Sequence, residues 1–387
     1  MNRSIKNIVF VPTNKHWGGS ELLWSKTAIW FANQEFNVHI IKHNELEFPN
    51  WFIDRLKHHQ QYIKVELFKK TELSFIKKVC NRFLPYKIRF RSQSKVSEQV
   101  QYLKPSLVVI NQGFNFNGVE LACGLGKLNI KYVLISQALN PGLWPSKLLR
   151  EKMKLAYTKS VNNYFVSNDN LQMTEMQLGN SLHNAEVVIN PFNVPFGKAD
   201  YAELPNKYHL AVVGRYHFSS KGQDVLLRVL MQEKWKQRNL VVNFYGSGDD
   251  EENLKAIIKN FDIGNAVVHG YTDTKMIWQQ NQGLILTSRY EGLPIAIVEA
   301  MLCKRIVITT DVSGNAELLT DNINSFVAEA PMPKYVDNAL ERAWAKKDEW
   351  KKIGQQAYED IVKIVPEKPE QVLGQKLMVH LENNETS

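Results

Sequence analysis

Thr287-Ser-Arg-Tyr-Glu-Gly-Leu-Pro-Ile-Ala-Ile-Val-Glu-Ala-Met301 joins an apolar run, Gly283 to Thr287, to a helical pattern, Ile295 to Leu302. Glu291, Gly292 and Pro294 fall between the two. Pro suits the first turn of a helix, where its missing N–H would have no partner anyway, so the spacing predicts a helix starting near Pro294. Glu291 then lies in the loop before that helix and Glu299 in its second turn. The free amides of Leu293, Ile295 and Ala296 point outward, with the positive end of the helix dipole behind them. Such a terminus suits a phosphate or a sugar oxygen, and two flanking carboxylates suit hydroxyls. Taken alone, the stretch also fits an ordinary strand–turn–helix carrying two surface glutamates.

The same alternation extends in both directions. Upstream, Tyr208–Val213 reads as a strand leading to Gly214-Arg215 and a loop to Lys221-Gly222. Strands at Asn239–Tyr245 and Ala266–His269 follow, the first ending in Gly246-Ser-Gly248 and the second in Gly270-Tyr271. Downstream, strands are expected at Arg305–Thr310 and Ser325–Ala328, then one helical pattern from Lys334 to about Val365 and another from Glu370 to Leu381. Nearer the start, strands are expected at Asn7–Val11, Val38–Ile41, Lys64–Phe68, Ser106–Ile110, Lys131–Ile135, Asn163–Ser167 and Ala185–Ile189, most of them separated by helical patterns. Alternation of this kind argues for α/β domains with doubly wound parallel sheets. Asn190-Pro-Phe-Asn-Val-Pro195, continuing to Pro205, interrupts the periodicity and marks a boundary between two such domains. Ligands of these sheets bind beyond the carboxyl ends of strands. That directs attention to Thr13–Glu21 with its Gly18-Gly19 turn, to Asn111-Gln-Gly-Phe114 and to Ser136-Gln137.

Composition narrows the class. A chain of 387 residues with 44% apolar and 22% charged residues suits a globular protein of two domains. Cys80, Cys123 and Cys303 are widely separated, show no metal-ligand spacing and suit a reducing compartment. The first apolar run stops at Pro12 and no later run reaches membrane-spanning length. The expectation is a cytoplasmic protein, or one peripheral to the inner membrane face. The net charge of +9 is uneven, with eleven Lys/Arg against three Glu in residues 64–104. Within that window Leu73–Arg91 mixes aromatic and basic residues, a pattern suited to an anionic membrane surface or to phosphates. No nucleic-acid recognition motif accompanies the charge.

Several short motifs, in this order, make the chain resemble a known family. Val213-Gly-Arg215 with Lys221-Gly222, Tyr245-Gly-Ser-Gly248, Val267-Val-His-Gly270, Glu291 to Glu299 as an E-x7-E motif and Val312-Ser-Gly-Asn-Ala-Glu317 are similar to the donor domain of GT-B glycosyltransferases, and more narrowly of family 4. Gly18-Gly-Ser-Glu21 and the stretch Val187–Val194 resemble that family's first-half motifs. The resemblance implies a GT-B fold, two Rossmann-like domains facing across a cleft. It places an acceptor-side domain at 1–190, a linker at 191–205 and a nucleotide-sugar domain at 206–365. The helix in 366–387 would be free to cross back to the first domain.

The resemblance also implies a retaining transferase that moves a sugar from a nucleotide diphosphate, UDP favoured, to a glycan or lipid-linked acceptor, as in bacterial surface polysaccharide synthesis. Two other functions stay open: a module that binds nucleotide sugar or glycan without transfer, and a nucleotide-sugar epimerase. In such a transfer negative charge grows on the departing diphosphate, so fixed positive groups must meet it. Arg215 and Lys221, six residues apart in one loop, can converge there, the first as a planar fork and the second as a point charge. Glu291, Arg215 and Lys221 are the expected catalytic group. The expected donor contacts are Gly18, Gly19, Arg215, Lys221, Tyr271, Glu291, Gly292, Leu293, Pro294, Ile295 and Glu299. By resemblance Glu291 meets sugar hydroxyls and Glu299 ribose hydroxyls, with Glu317 near the diphosphate end. No Asp-x-Asp stands at a strand end, and Asp249-Asp250 reads as charge at a helix start, so catalysis without a metal or other cofactor is expected. The sequence departs from the family at two places. Asn111-Gln-Gly113 and Ser136-Gln-Ala138 stand where family members often carry histidines, and amides cannot titrate near neutrality. His16, before the Gly18-Gly19 turn, is the one nearby alternative.

Overall fold

The computed structural model describes residues 6–68, 95–197, 201–204 and 207–382. The basic segment Leu73–Arg91 lies outside them. Thirteen strands occur among the described residues. The first seven are β1 (Asn7–Pro12), β2 (Asn37–Lys42), β3 (Ile63–Leu67), β4 (Leu107–Phe114), β5 (Tyr132–Ala138), β6 (Asn162–Phe165) and β7 (Ala185–Val187). The other six are β8 (Tyr208–Val213), β9 (Leu240–Tyr245), β10 (Ala266–Gly270), β11 (Gly283–Leu286), β12 (Ile306–Thr310) and β13 (Ser325–Ala328).

They form two wholly parallel sheets, ordered β3-β2-β1-β4-β5-β6-β7 and β10-β9-β8-β11-β12-β13. Parallel strands need crossovers, and helices on both faces bury both sets of side chains. In β1, Ile8 and Phe10 pack into one core while Val9 and Val11 pack into another on the opposite face. In both sheets the winding reverses between the first strand and the fourth, at β1/β4 and at β8/β11. A crevice opens beyond the strand ends at such a point, and ligands bind there. The two crevices hold Thr13–Glu21 on one side and Gly214–Lys221 with Thr287–Leu293 on the other.

Each of the thirteen expected strands is present, with corrections that bear on the site. β4 and β5 outrun their apolar cores, pairing Asn111 with Ile135, Gln112 with Ser136 and Phe114 with Ala138. Asn111–Gly113 and Ser136-Gln137 therefore sit on strands and not in loops beyond them. Pro294 is not in the first helical turn: it is the extended residue ahead of the helix Ile295–Leu302. The long pattern from Lys334 is two helices, Pro333–Ala345 and Trp350–Ile364, because Trp350 folds back and its indole donates to the Ala343 carbonyl at 2.8 Å.

The helix Pro369–Glu382 packs on the first sheet's side. Leu373, Leu377 and Leu381 are fully buried with Trp24 and Phe31 of the helix Leu22–Asn33. Each such leucine contributes roughly 1.5–3 kcal/mol by leaving water. Gly374 lies flush on Trp30, where a Cβ would come 2.4 Å from the ring. Among the described residues no helix is long and apolar enough to cross a membrane.

Candidate active site

At the β8/β11 crevice, backbone packs on backbone to form a floor. Gly246 has φ +145°, and a Cβ there would meet the Gly214 carbonyl at 2.0 Å, so only glycine lets the two strand-end turns touch. The Tyr216 amide donates to the Ser247 carbonyl at 3.0 Å. Asp250 does stand at a helix start, and its carboxylate also accepts the Phe218 amide at 2.7 Å, capping the short helix Phe218–Lys221. The Lys221 stem runs past Gly214, and its ammonium donates to Glu291 Oε1 at 2.5 Å. The same oxygen accepts Ser288 Oγ at 2.7 Å, while the Glu291 amide donates to Ser313 Oγ at 3.2 Å. Glu291 is thus held in place with one oxygen engaged. Arg289 locks the loop from behind through a two-pronged ion pair with Asp224, at 2.7 and 2.8 Å. Arg215 is exposed, and its guanidinium has no hydrogen-bond or ion-pair partner among the described residues.

The helix Ile295–Leu302 has no side-chain cap at its N-terminus, so the amides of Ile295 and Ala296 stay open and half-buried. Gly19 of the opposite domain faces that terminus, close enough that a Cβ on it would lie 2.8 Å from Ile295 Cδ1. Gly18 beside it meets open space. Gly292 packs directly on the other domain, since a Cβ there would fall 2.0 Å from the Gln137 carbonyl. Leu293 and Pro294 are buried next to it. Phe114 and Tyr290 also meet across the cleft, with ring centroids 6.1 Å apart. Tyr271 stands 90% exposed after the edge strand β10, next to Gly270, whose carbonyl accepts the Gly246 amide at 2.8 Å.

Glu299 is buried in the second turn of the helix Ile295–Leu302. Its Oε1 accepts the amide of Asn193 at 2.8 Å and that residue's side chain at 3.2 Å, and Oε2 accepts no hydrogen bond among the described residues. Burial pushes its carboxyl up to about 7, against the pull of these amides and of the Lys26 ammonium. Glu317 belongs to the turn Ser313–Leu318, whose Gly314 amide donates to the Gly292 carbonyl at 3.0 Å. It accepts the amides of Asn168 and Asp169 at 3.0 and 2.8 Å, at the start of the helix Asn168–Leu178 in the other domain. A carboxylate at a helix N-terminus is stabilised by the dipole, so this one ties the two domains together.

The first domain's side of the cleft is built from amides. Asn190 Nδ2 donates to Gln137 Oε1 at 2.9 Å, Gln137 Nε2 to Asn111 Oδ1 at 3.0 Å, and Asn111 Nδ2 to the Ser20 carbonyl at 3.3 Å. All three side chains are buried. Gln112 is spent on structure, donating to the Asn117 carbonyl at 2.6 Å and accepting from Tyr157. Ser136 is buried beside it. Glu21 is wholly buried and accepts from Asn14 at 2.7 Å, Ser20 at 3.0 Å and the Trp24 indole at 2.5 Å, which clamps the Gly18-Gly19 turn to its helix. Burial raises the Glu21 carboxyl's affinity for its proton. His16 is exposed at the rim of a cavity of about 610 Å³ that Trp17 and Phe48 also line. Among the described residues no three His, Cys, Asp or Glu side chains come together as a possible metal site.

Residues 196–360 match the family model for glycosyl transferases group 1. A Haemophilus influenzae protein named as an uncharacterized glycosyltransferase is 29% identical over 254 residues, 64% of this chain and 69% of that one. The lipopolysaccharide 1,6-galactosyltransferase of Escherichia coli is 25% identical over 192 residues, spanning 47% of this chain and 52% of the enzyme. The protein is a glycosyltransferase, with its group 1 domain at residues 196–360. The crystal structure of Anabaena HepE in complex with UDP superposes with a TM-score of 0.71 at 16% identity, over 96% of this chain and 100% of that one. The fold of the glycosyltransferase is GT-B.

Sequence patterns alone missed several groups of the glycosyltransferase's cleft: Ser288 and Ser313 against Glu291, Asp224 behind Arg289, and Asn190 and Asn193 in the linker. The linker asparagines carried a readable signal, since they sit in an Asn/Pro-rich boundary whose polar side chains need partners once buried. Arg289 to Asp224 joins residues 65 positions apart and carries no local signal.

Proposed function

We propose that this glycosyltransferase belongs to family 4 and moves a sugar, with retention, from a UDP-linked donor to a glycan or lipid-linked acceptor of a bacterial surface polysaccharide. The observation that carries the reading is the grouping of Lys221, Glu291 and the uncapped helix terminus at the β8/β11 crevice, with the free guanidinium of Arg215 beside it. As the glycosidic bond breaks, its electron pair moves onto the diphosphate oxygen. Arg215, Lys221 and the amides of Gly19, Leu293 and Ile295 receive that charge, and no metal is required in this scheme. Lys221 is paired with Glu291 before donor binds. On binding, the ammonium turns to phosphate and Glu291 accepts sugar hydroxyls. The uncommitted Oε2 of Glu299 serves the ribose hydroxyls, and Tyr271, free at the end of β10, offers a face to the base. UDP is supported by the UDP held in the HepE crystal structure, and a surface-glycan acceptor by the lipopolysaccharide enzyme of Escherichia coli.

The test is Glu291→Gln, assayed for nucleoside diphosphate release over a panel of nucleotide sugars with candidate acceptors. A loss of roughly 10²–10³ in kcat/KM is expected, the scale for one electrostatic contact made in the transition state, with an unchanged melting temperature. Wild-type turnover in this variant would refute the assignment, and selective use of a donor other than a UDP sugar would refute the base.

A further inference from the structure

One surface of the first domain is not explained by catalysis. β5 ends at Ala138, one residue past Gln137, and the chain continues as Leu139-Asn-Pro-Gly-Leu-Trp-Pro-Ser146 into the helix Lys147–Lys159. Leu143, Trp144 and Leu148 are 46%, 55% and 69% exposed, and Leu155 is 41% exposed. Leu148 and Leu155 are seven residues apart and share one helix face. Single exposed apolar residues are ordinary, but Leu143, Trp144 and Leu148 fall within six positions of one another at the tip, while Glu151 and Lys152 separate Leu155 from them on the helix face.

The ridge is firmly held. Leu139 and Pro145 are buried on either side of the tip. The Leu143 amide donates to the Asn140 carbonyl at 3.0 Å, and Gln177 donates to the Leu143 carbonyl at 3.2 Å. The opposite face of the helix is anchored by fully buried Met153, Ala156 and Tyr157. Folding therefore presents these apolar groups to solvent on a fixed base. The helix also carries five Lys/Arg against one Glu, with Lys152 paired to Glu120 at 2.5 Å and Lys154 3.8 Å from Glu151, in a chain of net charge +9.

We propose that the ridge Leu143–Trp144–Leu148–Leu155 docks the protein on an anionic lipid surface, with the flanking Lys147 and Lys154 contacting headgroups. Trp and Leu side chains enter the boundary between headgroups and acyl chains, where an indole is favoured for its apolar body and polar N–H. The lysines remain in the headgroup layer, and their stems can lie along the apolar surface. A charged rim around a narrow apolar ridge complements an anionic bilayer in both charge and depth. The ridge belongs to the acceptor half of the molecule, and its role does not depend on which donor the cleft takes. It differs from the basic segment Leu73–Arg91 suggested by sequence, and the two can be separated by experiment.

The test is co-sedimentation of the full chain with phosphatidylcholine vesicles, with and without phosphatidylglycerol. Wild type is expected to bind the mixed vesicles and to weaken as salt rises. The triple variant Leu143→Ser, Trp144→Ser, Leu148→Ser should bind about tenfold more weakly, with its far-UV circular dichroism unchanged. Lys147→Glu with Lys154→Glu should lose binding to the anionic vesicles. Any of three results would overturn the proposal: no wild-type binding at low salt, wild-type binding by the triple variant, or a triple variant that alters only concentration-dependent self-association. Loss of binding solely on neutralising the bases of Leu73–Arg91 would place the contact on that segment instead.

Discussion

The two crevices that face each other across the cleft share one topology and are built from opposite chemistry. The β8/β11 side presents ions: Arg215, the Lys221–Glu291 pair and an uncapped helix terminus. The β1/β4 side presents amides, Asn190, Gln137 and Asn111, in a buried chain that ends at the carbonyl of Ser20 beneath the Gly18-Gly19 turn. Charge that appears only in a transition state needs fixed counter-charge, and ions held in place supply it without reorganisation at the moment of reaction. A buried amide chain cannot carry charge, but it holds geometry, since each unsatisfied polar atom in it would be costly. In the proposed reaction one crevice meets the developing charge and the other holds geometry.

Substitutions on the two sides should therefore fail differently. The largest expected effect is at Arg215. Arg215→Ala should lower kcat/KM by roughly 10²–10³ without altering the melting temperature, because the guanidinium has no partner among the described residues to lose. An equal loss of stability would erase the contrast. Next is Gln137→Leu, which keeps the volume and removes both amide contacts. It leaves Asn190 and Asn111 short of partners and should cost about 1–3 kcal/mol in denaturant unfolding. A stable but inactive variant would instead place Gln137 among the reacting groups.

The smallest effect concerns Glu299, whose carboxyl is raised to about 7 from an ordinary 4.5. Between those values the folded protein holds the proton and the unfolded chain does not. Its contribution therefore declines as pH rises from about 4.5 to 7. Glu299→Gln should flatten that part of the melting-temperature profile, and an unchanged slope would show that another group titrates there.

Much of this molecule was readable in its sequence. The positions of all thirteen strands follow from apolar runs, because strands buried on both faces must be apolar along their length. The local motifs placed Arg215, Lys221, Gly292 and Glu291 in the turns that follow β8 and β11, because glycines and breaks in the apolar period mark such turns in the sequence itself. The helix start was legible to within one residue, and Pro294 proved to precede it. Where β4 and β5 end was not legible, since polar residues at a strand end extend the ladder only if partners from elsewhere receive them.

Sequence alone determined the two doubly wound sheets, the Glu291 and Glu299 spacing, and the absence of histidines from the β4 and β5 ends. Those are properties of periodicity and local chemistry, which a chain carries before it folds. Only the tertiary structure decided that Gly292 meets the Gln137 carbonyl, that Lys221 reaches Glu291 across 70 positions, that Glu317 joins the domains and that Leu373, Leu377 and Leu381 return to the first core. Contacts of that kind depend on how two packed layers meet. No local pattern encodes that meeting, because the partner of each group lies on another element.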